Sequence, residues 1–102
     1  MLEKVNQIFQ YNGNPVTFQK GGSVMVNTTE MAKPFGKRAT HWLSNQSTVD
    51  YLLELSKVRN LTLVDLVIVT KGANNSGTWM HEDAALEFAR WLSPSFATWC
   101  ND

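Results

Sequence analysis

The apolar residues of this chain keep two different periods, and the change from one to the other falls at Asn27. Before it, Val5-Asn-Gln-Ile-Phe-Gln-Tyr11 reads as a strand, Asn12-Gly13 as a two-residue hairpin turn, and Val16 to Lys20 as the return strand. Gly21-Gly22 is a second turn and Ser23 to Val26 a third strand, which makes a small N-terminal β-meander. From Asn27 onward the period is helical. Asn27 followed by Glu30 reads as a capping box, with Glu30 reaching back to the Asn27 amide. A short helix through Met31 and Ala32 follows, and Gly36 is a left-handed stop. At 102 residues, both kinds of structure must share one core, so a single domain is expected.

A second short helix is expected over Lys37 to about Asn45. It places Ala39, Trp42 and Leu43 on one side and Lys37, Arg38, His41, Ser44 and Asn45 on the other. Ser47-Thr-Val-Asp50 reads as the capping box of a third helix, with Val49, Leu52, Leu53 and Val58 toward the core. Val64 to Thr70 is β-branched and nearly all apolar, the pattern of a strand buried on most of both faces. Lys71 to Gly77 is a polar, glycine-bearing loop, and Thr78 to His81 returns as the second strand of a hairpin. Glu82 and Asp83 then open a helix at its positive end, Arg90 lies near its negative end, and Ala85, Phe88, Ala89 and Leu92 form its buried stripe. Ser93-Pro94 starts a last helix containing Phe96 and Trp99. It is still amphipathic at Asp102, so the chain is expected to be the N-terminal part of a longer protein.

The chemistry this chain can carry is narrow. His41, His81 and Cys100 share no metal-ligand spacing, and Glu82 and Asp83, neighbours on a helix, point about 100° apart and make no dyad. Cys100 reads as a buried structural thiol, and the clustered carboxylates of two-metal nuclease chemistry are missing. No catalytic residue, metal or cofactor is expected. No apolar run reaches the ~18 residues of a membrane span, and Met1–Lys4 lacks a secretion signal. A single cysteine excludes an internal disulfide, and the expected location is cytoplasmic.

Nine basic and nine acidic side chains cancel, but they are not mixed evenly. Residues 31–49 hold Lys33, Lys37, Arg38 and His41 and no acid, whereas residues 81–102 hold Glu82, Asp83, Glu87 and Asp102 against Arg90 alone. Local polarity of this kind can orient a neutral domain on a polyanion. A short helix fits the DNA major groove, where Arg and Lys read guanine, Asn reads adenine, and Ser or Thr fits either. The candidate contacts are Lys33, Lys37, Arg38, Thr40, His41, Ser44 and Asn45, with Lys71, Asn74 and Asn75 on the hairpin loop. Four phosphate contacts, from Lys33, Lys37, Arg38 and Lys71, would give a slope of roughly −3.6 in log K against log salt on duplex DNA.

Three segments in this order resemble a known family. They are Val26-Asn-Thr-Thr-Glu-Met-Ala with the following Phe-Gly-Lys-Arg and Trp42, then Lys71-Gly-Ala-Asn-Asn-Ser-Gly-Thr-Trp79-Met-His, then Ala85-Leu-Glu-Phe-Ala-Arg-Trp91-Leu-Ser-Pro-Ser-Phe96-Ala. Together they resemble the KilA-N domain, itself similar to the fungal APSES DNA-binding domain. The likeness covers about residues 24–102 and leaves 1–23 as an N-terminal strand extension. It implies an α+β, winged-helix-like fold in which Lys37 to Asn45 is the recognition-type helix and Lys71 to Gly77 the wing. Trp79, Trp42, Trp91, Phe88 and Phe96 are read as packing residues, and Asn27 and Thr28 as helix caps, with phosphate contact at that helix N-terminus as the alternative. The implied role is the DNA-binding module of a phage- or prophage-type regulatory protein, with double-stranded DNA as partner and a separate C-terminal domain in the full chain. The alternative is a protein-interaction module of an antirepressor-like protein without direct DNA contact.

Overall fold

The computed structural model describes residues 5–21, 23–70 and 77–101. Lys71, Asn74 and Asn75 lie outside the described residues, as does the Cys100 side chain. The N-terminal meander forms, although Gly22 of its second predicted turn lies outside the described residues. Strand β1 (Val5–Tyr11) and strand β2 (Asn14–Lys20) pair antiparallel from Tyr11↔Asn14 to Val5↔Lys20. Asn12 and Gly13 both hold positive φ, 50° and 81°, as a mirror-image two-residue turn needs. Strand β3 (Val24–Asn27) lies beside β2, and strand β5 (Gly77–His81) lies beside β3. Strand β4 (Val67–Thr70) closes the far edge against β5. The meander and the later hairpin therefore build one five-stranded antiparallel sheet, in the order β1-β2-β3-β5-β4.

Helix α1 (Thr28–Ala32) starts at Asn27, whose Oδ1 accepts from the Glu30 N–H at 3.1 Å. The reciprocal half of the expected capping box is absent. Glu30 Oε1 instead accepts from the Thr17 N–H at 2.7 Å and ties the helix to β2. Thr28 is no cap either, since its buried hydroxyl donates to the Thr78 carbonyl on β5 at 2.6 Å. A 3-10 turn, Lys33–Phe35, continues from α1 and stops at Gly36 with φ 64°, as expected.

Helix α5 (Glu82–Leu92) lays Ala85, Phe88, Ala89 and Leu92 on the sheet, each 6% exposed or less. Helix α6 (Pro94–Asn101) brings Phe96 beneath Tyr11, their ring centroids 4.7 Å apart, while Trp99 stacks on Phe96 at 5.6 Å. Phe88, Phe96, Met31, Leu66, Met80 and Val16 are almost wholly buried, so the core lies between the sheet and the helices packed on it.

Three further sequence expectations change. The predicted strand Val64 to Thr70 begins instead as helix α4 (Leu63–Leu66). Thr62 Oγ1 accepts from the Asp65 N–H, and Asp65 Oδ2 accepts from the Thr62 N–H at 3.0 Å, a full capping box that outweighs β-branched propensity. Those bonds to Thr62 hold the Asp65 carboxyl below its ordinary value. The remaining strand, β4, is an edge with Ile68 and Val69 exposed, not a strand buried on both faces.

Helix α3 runs Gln46–Arg59 with Asn45 as its N-cap, ahead of the predicted Ser47 start. Asp50 accepts from the Gln46 side chain at 3.0 Å and takes no part in a cap. Only Leu52 of its four predicted core residues is buried; Val49, Leu53 and Val58 are exposed. The basic helix, finally, is shorter than Lys37 to Asn45: helix α2 is Ala39–Leu43.

Candidate nucleic-acid interface

The segment between Gly36 and helix α2 is extended. Arg38, at φ −128° and ψ 139°, is the N-cap of α2 but makes no side-chain cap bond. Ala39 and Trp42 are buried beneath the helix, and the Trp42 ring rests 5.3 Å from Phe88. This anchors α2 by its apolar side and leaves Thr40 and His41 on the other, with His41 exposed. Ser44 and Asn45 are exposed just beyond the helix. The Ser44 hydroxyl donates to the His41 carbonyl at 2.7 Å and so finishes α2, whereas the Asn45 carboxamide makes no cap bond to α3.

Lys37, Arg38, Ala39 and Thr40 line an open groove of about 330 Å³ together with Thr29, Ala32 and Thr78. Thr78 is the second residue of β5, directly after Gly77, so the segment before α2 and the root of the hairpin share a surface. The root is held tightly. The Thr78 N–H donates to Thr29 Oγ1 at 2.9 Å. Gly77 sits at φ 149°, and a Cβ there would stand 3.3 Å from Thr29 Oγ1 and 3.5 Å from Asn27 Oδ1.

Arg38 and Lys37 differ within this groove. Arg38 is exposed and has no ion-pair partner among the described residues. The Lys37 ammonium lies 4.7 Å from the centroid of the Trp91 ring and donates to the Trp91 carbonyl at 3.4 Å. That carbonyl belongs to the last turn of α5, where a cation is favoured by the helix dipole. Trp91, half-buried, packs against the core with its ring stacked 5.8 Å from Phe88, as expected, and also carries Lys37. Lys33 is exposed on the 3-10 turn, outside the groove lining. Trp79 is 8% exposed between its cross-strand neighbours Asn27 and Ile68, in keeping with packing.

Three cations elsewhere are tied to acids. Lys57 pairs with Glu54, Arg90 with Glu87, and Arg59 with Asp83 at 2.8 Å. Among the described residues, Lys20, Lys33, Lys37 and Arg38 are the basic side chains without a carboxylate partner. Three of these four fall within the six residues before α2. The acids gather on α5 instead. Asp83 takes Arg59, its N–H donates to His81 Nδ1 at 3.2 Å, and its carbonyl accepts from Tyr51 at 3.4 Å. Burial, and after it the Glu87 and Asp83 charges, raises the Tyr51 phenol above its ordinary value.

Thr29 and Thr78 are the groove residues that the sequence alone did not single out, because their partnership spans 49 positions. No group of three His, Cys, Asp or Glu able to hold a metal occurs among the described residues. No helix among them is long and apolar enough to cross a membrane.

The KilA-N domain family model matches residues 9–102. The chain is 30% identical over 94 residues to a KilA-N domain-containing protein of Acanthamoeba polyphaga mimivirus, a match covering 84% of this chain and 26% of that protein. It is also 30% identical over 86 residues to the protein kilA of Escherichia phage P1, covering 82% of this chain and 31% of that protein. The chain thus spans under a third of the length of these relatives. No solved structure matches. With a match that runs from within β1 through α6, the chain belongs to the KilA-N domain family.

Proposed function

We propose that this domain binds double-stranded DNA through the groove between the Lys37–Thr40 segment and the root of the β4–β5 hairpin, as part of a phage-type regulatory protein. One observation carries the reading. Three of the four described cations free of carboxylate partners lie in residues 33–38, and two of them, Lys37 and Arg38, line a groove shared with Thr29, Thr40 and Thr78 of the hairpin root. Arg38 is the primary contact. Its guanidinium offers a planar fork of donors to a phosphate or a guanine edge, and no acid competes for it among the described residues. Thr29 and Thr40 add hydroxyls for backbone phosphate. His41 and Asn45 extend the surface along α2, with Asn45 suited to adenine.

Lys37 has a different part. Held on Trp91, it braces α2 against α5 and leaves Lys33, Arg38 and, on the loop, Lys71 to meet phosphate. A labelled random-sequence duplex, titrated with the protein at ~50 mM salt where backbone contacts dominate, tests the proposal by fluorescence anisotropy. Binding that Arg38→Ala weakens and Lys37→Ala leaves nearly unchanged supports it. No binding, or binding indifferent to Arg38→Ala, overturns it. Capture of a protein partner with no nucleic-acid signal would favour the protein-interaction role instead.

A further inference from the structure

Strand β1 is an open sheet edge of an unusual kind. Open edges are normally blunted by charge, proline, a bulge or short length. Val5–Tyr11 has seven residues, no charge, no proline and no glycine, and pairs with β2 in unbroken register. Every residue except Tyr11 is exposed, with Val5 at 57% and Ile8 at 60%. The opposite edge, β4, has only four residues and adjoins the hairpin root.

The Asn12-Gly13 turn determines which backbone groups of β1 are free. In a two-residue hairpin the flanking pair, here Tyr11 and Asn14, exchanges both hydrogen bonds. Alternation then directs Tyr11, Phe9, Gln7 and Val5 inward to β2 and leaves the N–H and C=O of Asn6, Ile8 and Gln10 facing outward. These three residues read amide, isoleucine, amide. That pattern is its own complement about Ile8.

From this geometry we propose that β1 pairs antiparallel with β1 of a second copy of this chain, about a two-fold axis through Ile8. The register sets Ile8 against Ile8, Asn6 against Gln10 and Gln7 against Phe9, and exchanges about six backbone hydrogen bonds. No like charges meet, because the strand has none. An isologous contact also closes on itself, so the sheet stops at two copies rather than growing into a fibre. Strands β2 and β3 separate β1 from β5, roughly 14 Å at the ordinary strand spacing, so the groove of each copy stays open. The family match begins at residue 9, so four of the seven β1 residues lie outside it. The pairing does not depend on the DNA-binding proposal.

A single strand pair is a small interface, so the dimer forms at high concentration. Sedimentation equilibrium of the 102-residue chain from about 10 µM to about 1 mM brackets that range. The expected result is a shift from 11.5 kDa toward twice that mass, abolished by Ile8→Lys and by Asn6→Lys, with far-UV dichroism unchanged in both. In a Cys100→Ser background, Ile8→Cys should cross-link to itself under mild oxidation. Thr17→Cys, one strand inward at the paired position, should not. A monomer across the whole range overturns the proposal. So does a dimer that survives both lysine variants, equal cross-linking by Thr17→Cys, or a monomer that instead captures an unrelated extended peptide on β1. Because no DNA is present, failure here leaves the groove proposal untouched.

Discussion

Gly77 is the position where one added methyl group should cost most relative to its size. Its φ of 149° is one that L side chains rarely adopt, which costs another residue about 1–3 kcal/mol. Space is short as well, since an alanine Cβ would stand 3.3 Å from Thr29 Oγ1 and 3.5 Å from Asn27 Oδ1. Those two atoms hold the Thr78 and Glu30 N–H groups, so moving them disturbs both the hairpin root and the α1 cap. Gly36 is the internal control. Its φ of 64° is left-handed, and no atom lies within 4 Å of the place an alanine methyl would occupy, so Gly36→Ala should cost only about 1–2 kcal/mol.

For a domain of this size each kcal/mol lowers the melting temperature by roughly 4–8 °C, so thermal unfolding followed by circular dichroism separates the two variants. Gly77→Ala should melt about 4 °C or more below the parent, and, with the crowding added, further below it than Gly36→Ala. Adding Thr29→Ala should recover the crowding part of the loss but not the backbone part, a coupling that a double-mutant cycle resolves. Equal melting temperatures for Gly77→Ala and the parent would refute the hairpin-root geometry.

Four further substitutions probe other contacts. Thr28→Val removes the hydroxyl that donates to the Thr78 carbonyl within a buried site and should cost about 1–3 kcal/mol by chemical denaturation. Lys37→Ala should cost about 0.5–1 kcal/mol through the lost Trp91 contact, whereas Arg38→Ala, making no cap bond, should leave stability unchanged. Tyr51 has a raised folded pKa, so its contribution is present below the unfolded value of about 10 and is lost as pH rises through the folded one. Alkaline denaturation of the parent should therefore be steeper than that of Tyr51→Phe.

Local chemistry made much of the fold legible from sequence. Asn12-Gly13 announced its turn, Asn27 its cap, and the Ala85-Phe88-Ala89-Leu92 stripe its burial, because each signal sits within a few residues of its effect. The misread strand at Val64 shows the opposite case. A short apolar run cannot by period alone be told from a buried helix turn, and the Thr62/Asp65 pair that decides it was the overlooked signal. In the candidate site, the position of Arg38 before a short basic helix was readable. The diversion of Lys37 was not, because its partner Trp91 lies 54 residues away. Thr29 and Thr78 were hidden for the same reason, their bond joining helix α1 to strand β5.

The salt dependence of duplex binding bears most directly on the groove as a phosphate-binding surface. With Lys37 committed to Trp91, three cations remain to displace counterions, and log K should fall against log salt with a slope of about −2.7. Arg38→Ala should make the slope shallower by about 1, and Lys37→Ala should leave it where it was. A slope near zero, or one that Lys37→Ala flattens while Arg38→Ala does not, would contradict the account.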